Sequence, residues 1–299
     1  MDIGETAVVV DGVRAPVREA GPEGNEEVVV FVHGNPGSSH DWDDLLVRTG
    51  TFARAVAPDM PGFGRADKPD GFEYTIQGYG RFLGDALEAL GVRRAHLVLH
   101  DFGSPWGLAW AAAHPDAVGS VVLLNMGVLI GYRWHYLARI WRTPVLGELF
   151  QATTTMAGFR LLLRHGNPRG LPHDFVERMY RDLDRGTKRA VLRLYRATPA
   201  GLFEAPLPAM RELDPPTLVV WGRHDPYLPV RHAEAQGRAF PSAEVVVLDG
   251  SGHWPFADDP ERVAALVVPF LRRQVAAAAP GDASGSGRDR SSGTRDGVR

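Results

Sequence analysis

The chain has 299 residues, 44% hydrophobic and 23% charged, a composition that is ordinary for a globular protein with a sizeable buried core. The net charge of -3 gives no reason to expect a basic surface for nucleic acid, and the absence of cysteine excludes disulfides and thiolate chemistry. The first residues, MDIGETAVVV, lack the features of a signal peptide, and no apolar run approaches the roughly 20 residues of a membrane helix. We therefore expect a cytoplasmic protein with neither nucleic-acid nor membrane partners.

Five short runs rich in valine and leucine predict buried strands of a parallel sheet, because each is uniformly apolar and ends in a polar residue or glycine. The runs are residues 28–34, 95–101, 120–126, 217–222 and 243–250. Residues 76–90 have apolar side chains at helical spacing and predict an amphipathic helix. Alternating strands and helices indicate an α/β domain with right-handed crossovers.

The alternation stops between residues 127 and 205, which are rich in arginine, leucine and aromatic residues and have no strand pattern. This segment predicts a helical cap, placed over the carboxyl ends of the strands, where α/β proteins bind ligands. The predicted core is then residues 1–126 and 206–278. Residues 279–299 are rich in Gly, Ser, Asp and Arg, and they predict a disordered tail.

The segment LVLHDFGSPWG, residues 97–107, joins a predicted strand to a helix-like pattern through a tight turn. Such a turn projects its central side chain outward, and here that side chain is Asp101. Gly103 leaves room for the bend. Ser104 is a poor nucleophile, because Pro105 lacks the N–H that an oxyanion hole would need there. Taken alone, the turn fits a helix N-cap about as well as a nucleophile.

Two further loops supply potential partners for Asp101. WGRHDPYLP places Asp225 just after one predicted strand, and GSGHWPF places His253 after the next. Because the carboxyl ends of parallel strands meet at one edge of a sheet, we expect nucleophile, acid and base to meet there. HGNPGSSHDW places the backbone N–H of Asn35 as an oxyanion donor beside that of Phe102, with a turn role for Asn35 as the alternative.

The five motifs HGNPGSSHDW, DMPGFGRADKP, LHDFGSPWG, GRHDPYLP and GSGHWPF, in this order, resemble the α/β-hydrolase superfamily over roughly residues 28–271. The aspartate in the turn resembles that of the epoxide hydrolase and haloalkane dehalogenase group. The resemblance implies a mostly parallel central sheet flanked by helices, with an inserted helical cap. It also implies a reaction without metal or cofactor, on a small apolar electrophile and water, by a monomer or homodimer.

An aspartate nucleophile suits attack on a saturated carbon that bears a strained or good leaving group, since the carboxylate is already ionised but weakly nucleophilic. Attack by Asp101 would form an alkyl-enzyme ester. His253, oriented by Asp225, would then activate the hydrolytic water. The N–H groups of Asn35 and Phe102 would stabilise the oxyanion by a few kcal/mol each.

The leaving group separates the two reactions, because an epoxide oxygen needs a proton donor and a halide needs N–H donors. VLRLYRATP places Tyr195 in a context that resembles a ring-opening tyrosine of epoxide hydrolases, and Tyr136 or Tyr132 would be the first such tyrosine. Each also fits a packing or surface role. Phe102 stands where dehalogenases typically have a tryptophan, which argues against a halide.

Other residues favour the halide. Asn35 in the HGNP motif resembles the dehalogenases, and Trp134 and Trp141 would either line an apolar pocket or donate to a halide. FGSPWG lacks the arginines of fluoroacetate-type dehalogenases. We predict an epoxide hydrolase, with a haloalkane dehalogenase as the alternative and an esterase-like enzyme or a non-catalytic binder as further alternatives. Leu137, Leu149 and Phe150 are predicted to line the pocket or to pack between cap helices.

Overall fold

A computed structural model describes residues 2–278 of the chain. Its eight strands are β1 (Gly4–Val10), β2 (Val13–Ala20), β3 (Glu27–Val32), β4 (Arg54–Pro58), β5 (Arg94–His100), β6 (Val118–Leu124), β7 (Thr217–Gly222) and β8 (Glu244–Leu248). They form one sheet in the order β1-β2-β4-β3-β5-β6-β7-β8. β2 pairs antiparallel with β1 and β4, and every other pair is parallel.

Helices surround the sheet and fill the connections between its strands. They are α1 (Asp43–Gly50), α2 (Ile76–Ala89), α3 (Gly103–Ala113), α4 (Tyr136–Arg142), α5 (Leu146–Thr153), α6 (Met156–Gly166), α7 (His173–Asp182), α8 (Arg185–Ala197), α9 (Leu207–Leu213), α10 (Arg231–Glu234), α11 (Pro255–Asp258) and α12 (Pro260–Ala278). α1 packs on α12, and α2 packs on α3. The predicted fold class, a mostly parallel sheet flanked by helices with helical insertions, is confirmed.

All five predicted strands are present, as β3 and β5 to β8, and the predicted helix 76–90 is α2. The prediction that all five are buried is wrong for β8, an edge strand in which only Leu248 is buried. Three strands were missed. β1 and β2 form a hairpin whose turn, Asp11-Gly12, has positive φ at both residues, as a type I′ turn requires. That Asp-Gly pair was a usable signal. β4, RAVAP, is short and alanine-rich, so it has little strand propensity of its own.

The segment between β6 and β7 contains the six helices α4 to α9, of which α4 to α8 lie within the predicted cap, residues 127–205. α8 shows why this segment packs against the hydrophobic core. Its buried side chains, including Val191, Leu194 and Tyr195, recur at helical spacing and so form one apolar face. The domain boundaries at 126 and 205 stay predictions, and the predicted tail lies outside the described residues. Within residues 2–278, no helix is both long enough and apolar enough to cross a bilayer.

Candidate active site

Asp101 lies in the tight turn between β5 and α3, as the sequence predicts. Its φ of +47° is in the left-handed region, which a non-glycine residue adopts at a cost. Close approach of the neighbouring backbone fixes the turn. A Cβ on Gly34 would lie 2.3 Å from the Asp101 Cβ, and one on Gly103 would lie 2.2 Å from the Val32 carbonyl oxygen. Glycine at both positions therefore lets the β3 loop and α3 close around Asp101.

The three residues predicted to form a triad lie together at the carboxyl edge of the sheet. His253 Nδ1 is 2.6 Å from Asp225 Oδ2, and His253 Nε2 is 3.6 Å from Asp101 Oδ2. Asp225 follows β7 and His253 follows β8, so the sheet order brings these loops beside the turn after β5. The arrangement has the geometry of a nucleophile, a base and the acid that orients it.

Asp225 is held by hydrogen bonds on both of its oxygens. The backbone N–H groups of Tyr227 and Leu228 donate to Oδ1 at 2.8 and 2.9 Å, and Asn125 Nδ2 donates to Oδ2 at 2.9 Å. Asn125 in turn accepts a hydrogen bond from the N–H of Gly222 at 2.8 Å. The sequence analysis missed Asn125, although a polar residue directly after the buried strand β6 was a usable signal.

His253 lies between two carboxylates in a buried site. Burial alone would lower its pKa, but the charges and hydrogen bonds of Asp225 and Asp101 outweigh that effect and raise the pKa to about 10. Burial also acts to raise the pKa of Asp101. The nearby His253 ring, 3.6 Å away, together with the Asn35 N–H, reverses this and holds the pKa of Asp101 below its usual value. The resting site therefore contains an imidazolium between two carboxylates.

A second buried histidine supports the first. His100 Nε2 donates to the backbone carbonyl oxygen of His253 at 2.8 Å. Burial lowers the pKa of His100 to about 3, so this ring stays neutral at physiological pH. It adds no charge beside Asp101, and its hydrogen bond holds the backbone of the loop that bears His253. The sequence analysis did not assign this role to His100.

One of the two predicted oxyanion donors contacts the carboxylate. The N–H of Asn35 donates to Asp101 Oδ1 at 2.8 Å, and the other oxygen, Oδ2, lies 3.6 Å from His253 Nε2. In the described part of the chain, the N–H of Phe102 makes no hydrogen bond to this carboxylate, so its role stays a prediction. The Phe102 ring instead packs edge-on against Tyr195, with the centroids 5.0 Å apart.

A cavity of about 60 Å³ opens above Asp101 and is lined mostly by aromatic and aliphatic side chains. Tyr195, on α8, lies in its wall, and its hydroxyl accepts a hydrogen bond from Asn35 Nδ2 at 3.3 Å. Burial, reinforced by the charge of Asp101, raises the pKa of Tyr195, so the phenol keeps its proton. Because the hydroxyl is an acceptor toward Asn35, that proton is free to be donated to a bound molecule.

His135 is a cavity residue that the sequence analysis missed. Its Nδ1 accepts a hydrogen bond from the N–H of Ala138 at 3.2 Å and so caps the start of α4. Burial lowers its pKa to about 4, so the ring is neutral. A neutral imidazole that accepts at Nδ1 has its proton on Nε2, which makes Nε2–H a donor available to the cavity.

The other predicted cap residues divide into two groups. Trp134, Trp141 and Tyr132 line the cavity, and the indole N–H groups of both tryptophans are buried without an acceptor. Tyr136 is not among the lining residues; it is half-exposed, and its ring lies 6.3 Å from that of Tyr227. Leu149 was expected to line the pocket or to pack between cap helices, and this expectation is wrong. Its side chain is 58% exposed to solvent.

Leu137 and Phe150 line the cavity, as predicted for pocket residues.

Within residues 2–278, no group of three or more His, Asp or Glu side chains has an arrangement that would hold a metal ion.

Solved structures of known enzymes resemble this chain. Haloalkane dehalogenase DbeA from Bradyrhizobium elkani superimposes with a TM-score of 0.79 at 24% identity, covering 93% of this chain and 100% of that one. The epoxide hydrolase CorEH gives a TM-score of 0.77 at 19% identity, covering 91% and 99%. At these identities, the two likenesses establish the fold alone.

Sequence comparison extends this likeness to curated proteins. Haloalkane dehalogenase 2 of Mycobacterium tuberculosis is 28% identical over 272 residues, covering 82% of this chain and 88% of the relative. The family model described as alpha/beta hydrolase fold matches residues 27–260, which include every motif named above. The chain therefore belongs to the α/β-hydrolase fold family.

Proposed function

We propose that this protein hydrolyses small apolar epoxides to vicinal diols through an ester on Asp101. The observation that carries the proposal is the Tyr195 hydroxyl in the cavity wall, which accepts from Asn35 Nδ2 and so has its own proton free. An epoxide oxygen stays attached to the product and needs such a proton donor when the ring opens. His135 Nε2–H is a second donor on the same cavity.

The ring-opening step uses the resting charge state of the site. Asp101 Oδ2 forms a bond to one ring carbon while the bond from that carbon to the ring oxygen breaks. The alkoxide takes the phenolic proton of Tyr195, and the imidazolium of His253 supplies the proton that restores the phenol. The step ends with a hydroxyalkyl ester on Asp101, a neutral His253 and a neutral Tyr195.

Esterification also prepares His253 for the second step. One of the two carboxylate charges that raise its pKa is now gone, so the neutral imidazole is a usable base. It takes one proton from water, and the hydroxide oxygen attacks the ester carbon while the Asn35 N–H stabilises the oxyanion on Oδ1. Collapse of this intermediate sends its remaining hydroxyl proton to the departing alkoxide. The diol leaves, and the imidazolium–carboxylate pair is restored.

A haloalkane dehalogenase is the second candidate, and a specific observation favours it. The indole N–H groups of Trp134 and Trp141 are buried on the cavity without acceptors, and such unpaired donors suit a halide ion. The likeness to the dehalogenase of Mycobacterium tuberculosis agrees with this alternative. Phe102, which has no donor beside the nucleophile, argues for the epoxide.

The two candidates are separated by turnover of a terminal aryl epoxide and of a 1-bromoalkane. We expect the wild-type protein to form the diol from the epoxide. The rate of diol formation should fall about 100-fold in Tyr195→Phe, as for loss of a general acid, and should be unchanged in Tyr136→Phe. Tyr136 is the matched control, because it is a cap tyrosine outside the cavity lining. Bromide release without diol formation, reduced in Trp134→Phe or Trp141→Phe, would replace the epoxide proposal with the dehalogenase.

A further inference from the structure

The outer side of the cap exposes aliphatic side chains that a protein in water normally buries. Val145 is 79% exposed, Leu149 58% and Leu161 72%, and Leu146 is also exposed. Val145 and Leu149 are four residues apart at the start of α5 and so lie on one side of it. We call Val145, Leu146, Leu149 and Leu161 the apolar cap face.

The backbone at Val145 makes this exposure unusual. Its φ of +71° and ψ of -50° lie in a region that β-branched residues almost never adopt. Such a conformation costs on the order of 1–3 kcal/mol, which a glycine would avoid. Val145 is therefore strained in its backbone, and its exposed side chain gains little from packing in the protein interior.

The apolar cap face borders a groove that shares walls with the catalytic cavity. The groove lies between α5 and α6, has a volume of about 610 Å³, and includes Leu161 in its lining. Four of its residues also line the cavity above Asp101, namely Phe150, Thr154, Phe159 and Leu162. These four side chains therefore form part of the wall between the groove and the cavity.

Charge indicates what covers this face. Residues 127–205 contain thirteen Lys and Arg against six Asp and Glu, whereas the whole chain has a net charge of -3. Arg169, Arg178 and Arg193 pair with core carboxylates, and a net charge of +4 is left on the segment when these three arginines are set aside. On α6, exposed Arg164 lies near Leu161, and exposed Arg160 precedes Leu161 and is 3.4 Å from Glu177. Glu148, the acidic residue of α5, is paired with Arg196 at 2.6 Å. Two such caps would repel each other, while an anionic lipid surface complements both the charge and the aliphatic side chains.

We propose that the apolar cap face binds an anionic lipid surface, from which apolar substrates enter the groove between α5 and α6. The proposal rests on the cap alone and is independent of which bond the active site breaks. It departs from the expectation that the protein has no membrane partner. That expectation came from the lack of a spanning segment, which surface binding does not require.

The test is flotation of the full-length protein with lipid vesicles, either of phosphatidylcholine alone or with roughly a third phosphatidylglycerol. We expect binding to the anionic vesicles only, and loss of binding in about 0.5 M salt, where charge is screened within a few ångströms. Leu149→Ser combined with Leu161→Ser should weaken binding about tenfold or more, because aliphatic burial contributes to interfacial affinity. Val145→Gly should weaken it without loss of thermal stability.

Val9→Ser is the matched control, since Val9 is 65% exposed on β1, away from the cap, and its loss should leave vesicle binding unchanged. Absence of binding to anionic vesicles, or equal binding by the double variant, would overturn the proposal. Sedimentation velocity tests the alternative that a second copy of the chain binds this face. A concentration-dependent dimer that the double variant abolishes, without vesicle binding, would assign the face to a second copy of the chain.

Discussion

β5 has a histidine relay near each of its ends, and only one of them belongs to a candidate active site. Near the amino end, His96 Nδ1 is 2.9 Å from Ser120 Oγ, and His96 Nε2 is 2.8 Å from Glu27 Oε1. Beyond the carboxyl end, His253 lies between Asp225 and Asp101. By residue type and distance, the first set resembles a serine–histidine–glutamate triad, but its ring nitrogens are reversed, with Nδ1 toward the hydroxyl and Nε2 toward the carboxylate.

The two relays differ in their access to a cavity and in the number of carboxylates around the histidine. Ser120 is fully buried and His96 is 1% exposed, whereas Asp101 and His253 line a cavity. Burial lowers the pKa of His96, and its single carboxylate does not reverse this, while two carboxylates raise the pKa of His253. The residue types of a triad at hydrogen-bond distance therefore join neighbouring strands as readily as they form a site. Chemistry additionally requires space for a substrate beside the nucleophile.

Removal of the nucleophile should give the largest difference between the relays. Asp101→Asn should lower turnover at least about 10⁴-fold, because the neutral amide cannot form the ester. Ser120→Ala should leave kcat unchanged and cost about 1 kcal/mol of stability, the contribution of one hydrogen bond. Steady-state kinetics and urea unfolding measure both. Loss of activity in Ser120→Ala would show that the buried relay takes part in the reaction.

Removal of the acid is the next largest effect. Asp225→Asn keeps the shape of the site but removes the charge that orients and stabilises protonated His253, so we expect a loss of about 10³-fold. Glu27→Gln, the same change in the other relay, should leave kcat within twofold, which is about 0.4 kcal/mol. Rapid-quench kinetics should place the Asp225→Asn defect in ester hydrolysis. Near-normal turnover would remove Asp225 from the triad.

Asn125 should have an intermediate effect, because it acts through Asp225. Asn125→Ala removes one of the two donors to Asp225 Oδ2 and leaves the Gly222 N–H without its acceptor, and we expect kcat to fall about tenfold with a stability loss of about 1–3 kcal/mol. As a positioning residue it should also shift the pH profile of kcat, which a purely structural role would not do. An unchanged profile with lower stability would assign Asn125 to the fold alone.

The two histidines should give opposite dependences of stability on pH. The raised pKa of His253 adds stability that is present below its unfolded pKa of about 6.5 and is lost as the pH rises toward 10. The lowered pKa of His96 adds stability that is present above about 6.5 and is lost as the pH falls below it. Each contributes at most about 1.4 kcal/mol per pH unit.

Urea unfolding at several pH values tests this contrast. His253→Gln should flatten the alkaline decline in the free energy of unfolding, and His96→Gln should flatten the acid decline. An alkaline slope that stays unchanged in His253→Gln would mean that the histidine is neutral in the resting protein.

The sequence predicted those parts of the site that local backbone pattern dictates. Strand-ending motifs located Asp101, Asp225, His253 and Asn35, because parallel topology brings such ends together. His135, His100 and Asn125 were missed, since their roles depend on contacts between segments that are distant in the chain. No local pattern encodes which hydroxyl or ring nitrogen faces a cavity.

The cap shows the same limit. Helical spacing predicted that residues 127–205 are helical, but it did not distinguish buried Tyr195 from half-exposed Tyr136, or cavity-lining Phe150 from solvent-facing Leu149. Those differences arise from how each helix rotates onto the core. The hairpin of β1 and β2 was different, because its Asp-Gly turn was visible in the sequence.

The existence of an ester on Asp101 can be measured in the His253→Gln variant, where the ester should form and hydrolyse slowly. Incubation with a terminal aryl epoxide should add the mass of the whole epoxide to the intact protein. Peptide mapping should place the adduct on Asp101, and the Asp101→Asn, His253→Gln double variant should remain unmodified. An adduct on Ser104, or no adduct from any substrate that the wild-type protein turns over, would contradict an aspartate nucleophile.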